Sequence, residues 1–172
     1  MQTITDKPRL RPGFFFASLA SAALLTSACS ASTSPDELDE SLLEAFGRAE
    51  LSIDTGTQVH AFSVYVADSP EERRQGLMFV ETMPEDVGML FISDSNTRQS
   101  MWMKNTILSL DMLFVDANGV VESVAANTTP GSLKSIASGG PVCCVLELNA
   151  GTAEKLGIDA GDRLIHPHFA TP

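Results

Sequence analysis

The sequence predicts a mainly β fold: a single compact β-sandwich or partly closed barrel with two short helices. Three observations carry that expectation. Side chains alternate with a period of two over Gln58 to Val66, where Val59, Ala61, Ser63 and Tyr65 interleave with His60, Phe62, Val64 and Val66. Apolar runs of strand length recur along the chain, separated by turn-forming groups such as Asp54-Thr55-Gly56-Thr57 and Asp116-Ala117-Asn118-Gly119. Helix signals beyond residue 50 are confined to short stretches, each closed by a glycine. No internal repeat is visible.

The elements follow in order. Lys7, Arg9 and Arg11 precede the apolar run Phe14 to Leu25, and Thr26-Ser27-Ala28-Cys29 supplies small residues ending in a cysteine. Residues 1–28 therefore read as an export signal, too short to span a bilayer as a mature helix. Its end resembles the lipobox of bacterial lipoproteins, which implies lipidation of Cys29, an anchor in the membrane and a place in the cell envelope. Ser30 after the cysteine matches the outer-membrane pattern, facing the periplasm if the host is Gram-negative. Plain secretion, with Cys29 a bystander, and an uncleaved anchor are the alternatives. Residues 29–49 read as a polar linker or stalk. Ser34-Pro35-Asp36-Glu37 marks a helix start, with Leu38, Leu42, Leu43 and Phe46 on one side of a helix reaching about Ala49.

Residues 50–168 form the expected domain, and 169–172 a tail. Strands are expected at Leu51 to Ile53 and Gln58 to Val66. Ser69-Pro70-Glu71-Glu72 is a capping-box signature opening a helix that ends near Gly76. Gly88 to Ile92 reads as a buried strand, and Gln99 to Val115 as strand-rich. The turn at 116–119 leads to Val120 to Ala125. Val142 to Leu148 is a further strand, Thr152 to Leu156 a helix closed by Gly157, and Arg163 to His166 the last strand.

Charge narrows the partners. The 172 residues carry a formal charge of −11, and beyond residue 28 eight basic and 21 acidic residues remain, a charge of −13. Such a surface repels phosphate backbones, so no nucleic-acid partner is expected, and the balance favours cationic or neutral ligands. If Cys29 carries lipid, Cys143 and Cys144 are the remaining thiols. Strand neighbours point to opposite faces, so one can be buried and one exposed, as packed or unpaired thiols or, less simply, as a vicinal bridge or a redox or metal site.

Five motifs stand in register: Arg73-x-x-Gly76-Leu77-Met78, Gly88-Met89-Leu90-Phe91, Trp102-Met103-Lys104-Asn105-Thr106, Leu110-Asp111, and Val145-Leu146-Glu147-Leu148-Asn149-Ala150-Gly151. Together they resemble the uncharacterised bacterial and archaeal family known as domain of unknown function 192, over about residues 50–166. The chain departs from the family pattern at Val80, Met101 and Ser109, where arginine, phenylalanine and proline are common. The resemblance implies a β-sandwich-like domain, often behind a signal sequence, and no particular activity.

The candidate site comes from Met101 to Asp111, where lysine, asparagine and aspartate interrupt an apolar stretch. If Met101 to Thr106 is extended, Trp102, Lys104 and Thr106 share one face. An isolated buried lysine or aspartate is costly, so each must be paired or reach solvent. Either Lys104 or Arg73 pairs with Asp111 as scaffolding, or Arg73, Trp102, Lys104, Asn105 and Asp111 line a pocket whose indole suits a sugar ring or an apolar ligand. Asp111 and Glu147 are the candidate acid/base residues, although Glu147 reads as outward-facing. His166 and His168 have strand spacing, but no cysteine, histidine or acid cluster accompanies them. No metal and no cofactor are expected. Hydrolase, phosphate-loop and C-x-x-C signatures are absent. The reading is a binding or accessory domain for a small molecule, glycan or envelope partner; the alternative is a hydrolase acting on cell-wall or glycan material. Nothing in the sequence sets an oligomeric state.

Overall fold

The structure, a computed structural model, describes residues 42–169. The export signal, Cys29 and most of the 29–49 segment lie outside the described residues. Nine strands form: β1 (Gly47–Asp54), β2 (Val59–Ala67), β3 (Val87–Thr97), β4 (Ser100–Met101), β5 (Leu110–Val115), β6 (Val121–Ala125), β7 (Ile136–Ala137), β8 (Val142–Asn149) and β9 (Arg163–Ile165). Beyond β1, two short helices accompany them among the described residues, α1 (Pro70–Gln75) and α2 (Thr152–Leu156), with a closing 3-10 turn over Pro167–Phe169. The fold is mainly β, as expected. The helix expected to reach about Ala49 is corrected, because β1 begins at Gly47 and pairs along its length with β2.

Seven strands make one sheet in the order β6-β5-β8-β3-β2-β1-β9, and β4 pairs with β7 in a second, two-stranded sheet. The large sheet curls until its ends approach. A bridge joins Val120 to Arg163, the Val121 amide donates to Asp162 at 2.8 Å, and the Leu164 amide donates to Gly119 at 2.7 Å. Pairing is antiparallel except between β2 and β3, which run parallel with Val64 beside Gly88 and Val66 beside Leu90. The α1 crossover makes that possible. Its capping box is complete: Ser69 Oγ accepts from the Glu72 amide, and the Glu72 carboxylate accepts from the Ser69 amide.

Both faces of the sheet are covered. Leu51, Ile53, Phe62, Val64, Leu90, Leu113, Val121, Leu146 and Leu164, drawn from all seven strands, fill the inside of the curl. The outer face packs Tyr65, Met89, Phe91, Met112 and Val145 beneath Leu77, Val80 and Met103 from the connecting segments, with Leu43 and Phe46 joining them. The methionines Met89, Met103 and Met112 are core packing here. Close approach of β3 to β8 depends on Gly88, where a Cβ would lie 2.7 Å from the Glu147 carbonyl oxygen.

Candidate functional site

The segment expected to be a strand from Met101 to Thr106 is extended only through Met101. The Thr106 amide then donates to Met103 at 3.1 Å, and Asn105 takes a left-handed φ of 55°, so the chain turns. Asn105 is held from outside: its carbonyl accepts from the Phe79 amide at 2.9 Å. This turn buries Met103 and Thr106 and leaves Trp102, Lys104 and Asn105 exposed. Trp102 and Lys104 stay together, with Nζ 5.3 Å from the indole centroid, a cation–π contact.

They rim a cavity of about 120 Å³ whose other walls come from α1 and its exit (Arg73, Arg74, Gly76), from Phe91 on β3 and from Glu147 on β8. Glu147 is 4% exposed, which corrects the outward-facing expectation. It sits on the outer face because it stands opposite Met89 and Met112 in the two neighbouring strands, both of that cluster. No hydrogen bond or ion pair reaches its carboxyl from any described residue, and burial raises its pKa to about 8. At neutral pH the cavity floor is thus a protonated, unpartnered carboxylic acid.

Arg73 crosses from α1 to β3. Its Nη1 donates to the Ile92 carbonyl at 2.8 Å and to the Asp68 carbonyl, so it braces the wall as well as lining it. Arg74 is exposed at the rim, a residue the sequence reading missed; its place beside Arg73 in the capped helix was the available signal.

Asp111 belongs elsewhere. It is fully buried, its Oδ1 accepts from the Asn127 amide at 2.8 Å and its Oδ2 from the Ala153 amide at 2.9 Å. It stands opposite Leu148, inside the curl. The ion pairs expected of Asp111 with Lys104 or Arg73 do not form, and Asp111 and Glu147 point to opposite faces of the sheet. Asn105 flanks the cavity without lining it, its Nδ2 3.9 Å from Met78 Sδ.

Two further hollows adjoin the cavity through Ser100 and Met101: one of about 210 Å³ beside Gln99 and Val145, and one of about 290 Å³ formed with Trp102, Leu133 and Ser135. Trp102 and Leu133 are 51% and 69% exposed there. A larger hollow, about 680 Å³, is separate and lies between β2 and α2. Its Lys155 and Glu85 neutralise each other at 2.6 Å in the open, and its one buried unpartnered group is a basic ring nitrogen, His60 Nε2, rather than an acid beside free cations. The smaller cavity is the better candidate for a charged or aromatic ligand, because Arg73, Arg74, Lys104, Trp102 and Glu147 converge on it.

The model of the family DUF192, described as an uncharacterized ACR, matches residues 51–166. The chain belongs to that family. It shares 40% identity with a crystal structure from Sinorhizobium meliloti provisionally described as a transcription regulator, covering 72% of this chain and 96% of that one with a TM-score of 0.70. A protein of unknown function from Novosphingobium aromaticivorans is 30% identical, covering 72% of this chain and 95% of that one with a TM-score of 0.66. No curated protein matches. Glu147, Trp102 and Lys104 all lie within the DUF192 span, as do Arg73 and Arg74.

Proposed function

We propose that this DUF192 domain binds a small organic acid with a ring or apolar body, and that it does so tethered by Cys29 to the cell envelope. The observation that carries the reading is Glu147, a buried carboxyl with no partner, under a rim of three cations. Three of the eight basic residues beyond position 28 converge on this one hollow of an otherwise acidic protein. Composition alone favours cationic or neutral ligands; the cavity reverses that preference locally. A ligand carboxylate would accept from the Glu147 O–H and sit beside Lys104 and Arg74, while its ring rests in the adjoining hollow on Trp102 and Leu133. The cavity is the size of such a head group and the hollow the size of a ring.

Two other readings have less behind them. A hydrolase working through Asp111 and Glu147 needs both acids in one cleft, and they lie on opposite sides of the sheet. A nucleic-acid role borrowed from the regulator description would set a chain of charge −11 against phosphates.

Glucuronate and glucose share a ring and differ in the acid, so they separate the proposal from generic sugar binding. Glucuronate is expected to raise the melting temperature and glucose to leave it unchanged. Lys104→Ala should abolish the glucuronate shift while the unliganded domain melts where it did before. Equal shifts with both sugars, or a shift indifferent to Lys104→Ala, would overturn the reading. The tether has its own readout: Cys29→Ser should move the protein out of the membrane fraction.

A further inference from the structure

A second cluster lies where the C-terminal turn folds back on the open end of the curl. Cys143 and Cys144, expected on opposite faces, are both buried in the inner cluster, with their Sγ atoms 2.8 Å apart. The 3-10 turn over Pro167–Phe169 brings His168 to them, with Nε2 4.0 Å from Cys143 Sγ. The turn is held independently of the cluster. Phe169 packs against the inner core, its amide donates to His166 at 3.0 Å, and its ring meets the His168 ring edge-on at 5.2 Å. Two thiols and an imidazole are therefore gathered by residues 25 positions apart, with all three donor atoms within 4.8 Å of one another. The sequence reading had paired His168 with His166 and missed this set.

We infer that Cys143, Cys144 and His168 form a binding site for a soft d10 cation, Cu(I) in three-coordinate form, with Zn(II) plus a water as the other ion the set would accept. Thiolate and imidazole donors select these ions over hard cations, which take carboxylates and carbonyls. Bonds of about 2.3 Å to sulfur and about 2.0 Å to nitrogen put neighbouring donors roughly 3.5–4 Å apart. The spacing from Cys143 Sγ to His168 Nε2 is already there, and Cys144 Sγ lies within 4.8 Å of the same nitrogen. The two sulfurs must part by about 1 Å, which rotation about the Cα–Cβ bonds supplies. His168 is exposed, so the ion has a path in from solvent, and the apolar wall behind the thiols would keep water off the bound face. Binding releases the thiol protons and involves no electron transfer.

The test uses the full chain carrying Cys29→Ser, reduced with a phosphine under argon so that the site's thiols are the only ones present. Cu(I) delivered as its bicinchoninate complex should transfer to the protein at one equivalent, read by loss of the chelate's colour. Co(II) is the probe for the zinc-type site, through sulfur-to-cobalt charge-transfer absorption. Cys143→Ser is expected to abolish transfer. His168→Ala, a change at an exposed position that leaves folding intact, should weaken retention at least tenfold with circular dichroism unchanged. Charge-transfer bands without Cu(I) retention would assign the site to zinc. Failure to take up either ion, or uptake indifferent to His168→Ala, would overturn the inference.

Discussion

Two carboxyl groups lie within one register step of each other on the central strands, and their fates differ completely. Asp111 on β5 faces the inside of the curl and is met by two backbone amides. Glu147 on β8 faces the outer cavity and is met by none. Both are buried, so exposure does not separate them; the supply of donors does. Asp111 holds the loop that follows β6 and the start of α2, satisfying two N–H groups that would otherwise be orphaned. Glu147 satisfies nothing in the fold. A buried polar group without a partner in the fold is a local inconsistency, and a ligand at the proposed site would supply the missing partner.

The strongest way to break that comparison is to remove each carboxyl. Asp111→Ala strands the amides of Asn127 and Ala153 in the interior. Each orphaned donor costs about 1–3 kcal/mol, so a loss of roughly 3–6 kcal/mol is expected once the vacated volume is included. Urea unfolding followed by tryptophan fluorescence measures it. A loss below 1 kcal/mol would mean that Asp111 is as dispensable to the fold as Glu147.

Glu147 should behave oppositely, and pH is the lever. Burial holds its pKa near 8 against an ordinary value of 4.5. Between those two values the native state keeps a proton that the unfolded chain has released. Stability then falls as pH rises through the window, by about 1.4 kcal/mol per unit, and levels off above it. Glu147→Gln has no such proton, so its unfolding free energy should stay level where the natural protein's declines, leaving the variant a few kcal/mol more stable near pH 8. Parallel curves for the two proteins would show that the cavity solvates the carboxylate after all.

The same contrast explains what was legible in the sequence. Local signals read correctly: the Ser69–Glu72 capping box, the turn at Asp116 to Gly119, and α2 with its glycine stop all depend on groups a few residues apart. The mainly β class followed from alternation in β2, a strand with one partly open face. Alternation fails for β5 and β8, which are buried on both faces, so the period of two still separates Asp111 from Glu147 but no longer tells inside from outside. That is why Glu147 read as outward-facing. The Trp102 to Thr106 turn was illegible for a different reason: the bond from Phe79 that holds Asn105 comes from 26 residues earlier. Of the candidate pocket, Arg73, Trp102 and Lys104 line one cavity with Glu147, Asn105 stands beside it and Asp111 behind the sheet. The Cys143, Cys144 and His168 set needed the fold-back of the last turn, which no local pattern encodes.

The smallest expected effect concerns the wall that carries the arginines. Helix α1 has six residues and buries none of them, so it lacks the packing that holds β5 and β8 in place. Its stability rests on the Ser69 cap and on Arg73, which ties it to β3 through the Ile92 carbonyl. Ser69→Ala removes one side-chain acceptor from the first turn and should cost about 1 kcal/mol, a shift visible in urea but far below that of Asp111→Ala. Its consequence should be larger at the cavity than in the core. Amide exchange is expected to quicken across residues 70–76 while the amides of β8 stay protected, because α1 opens without the sheet. Glucuronate would then bind more weakly to this variant although no residue of the cavity has changed. If exchange quickens equally in α1 and β8, the helix is part of the cooperative core and does not open separately from the sheet.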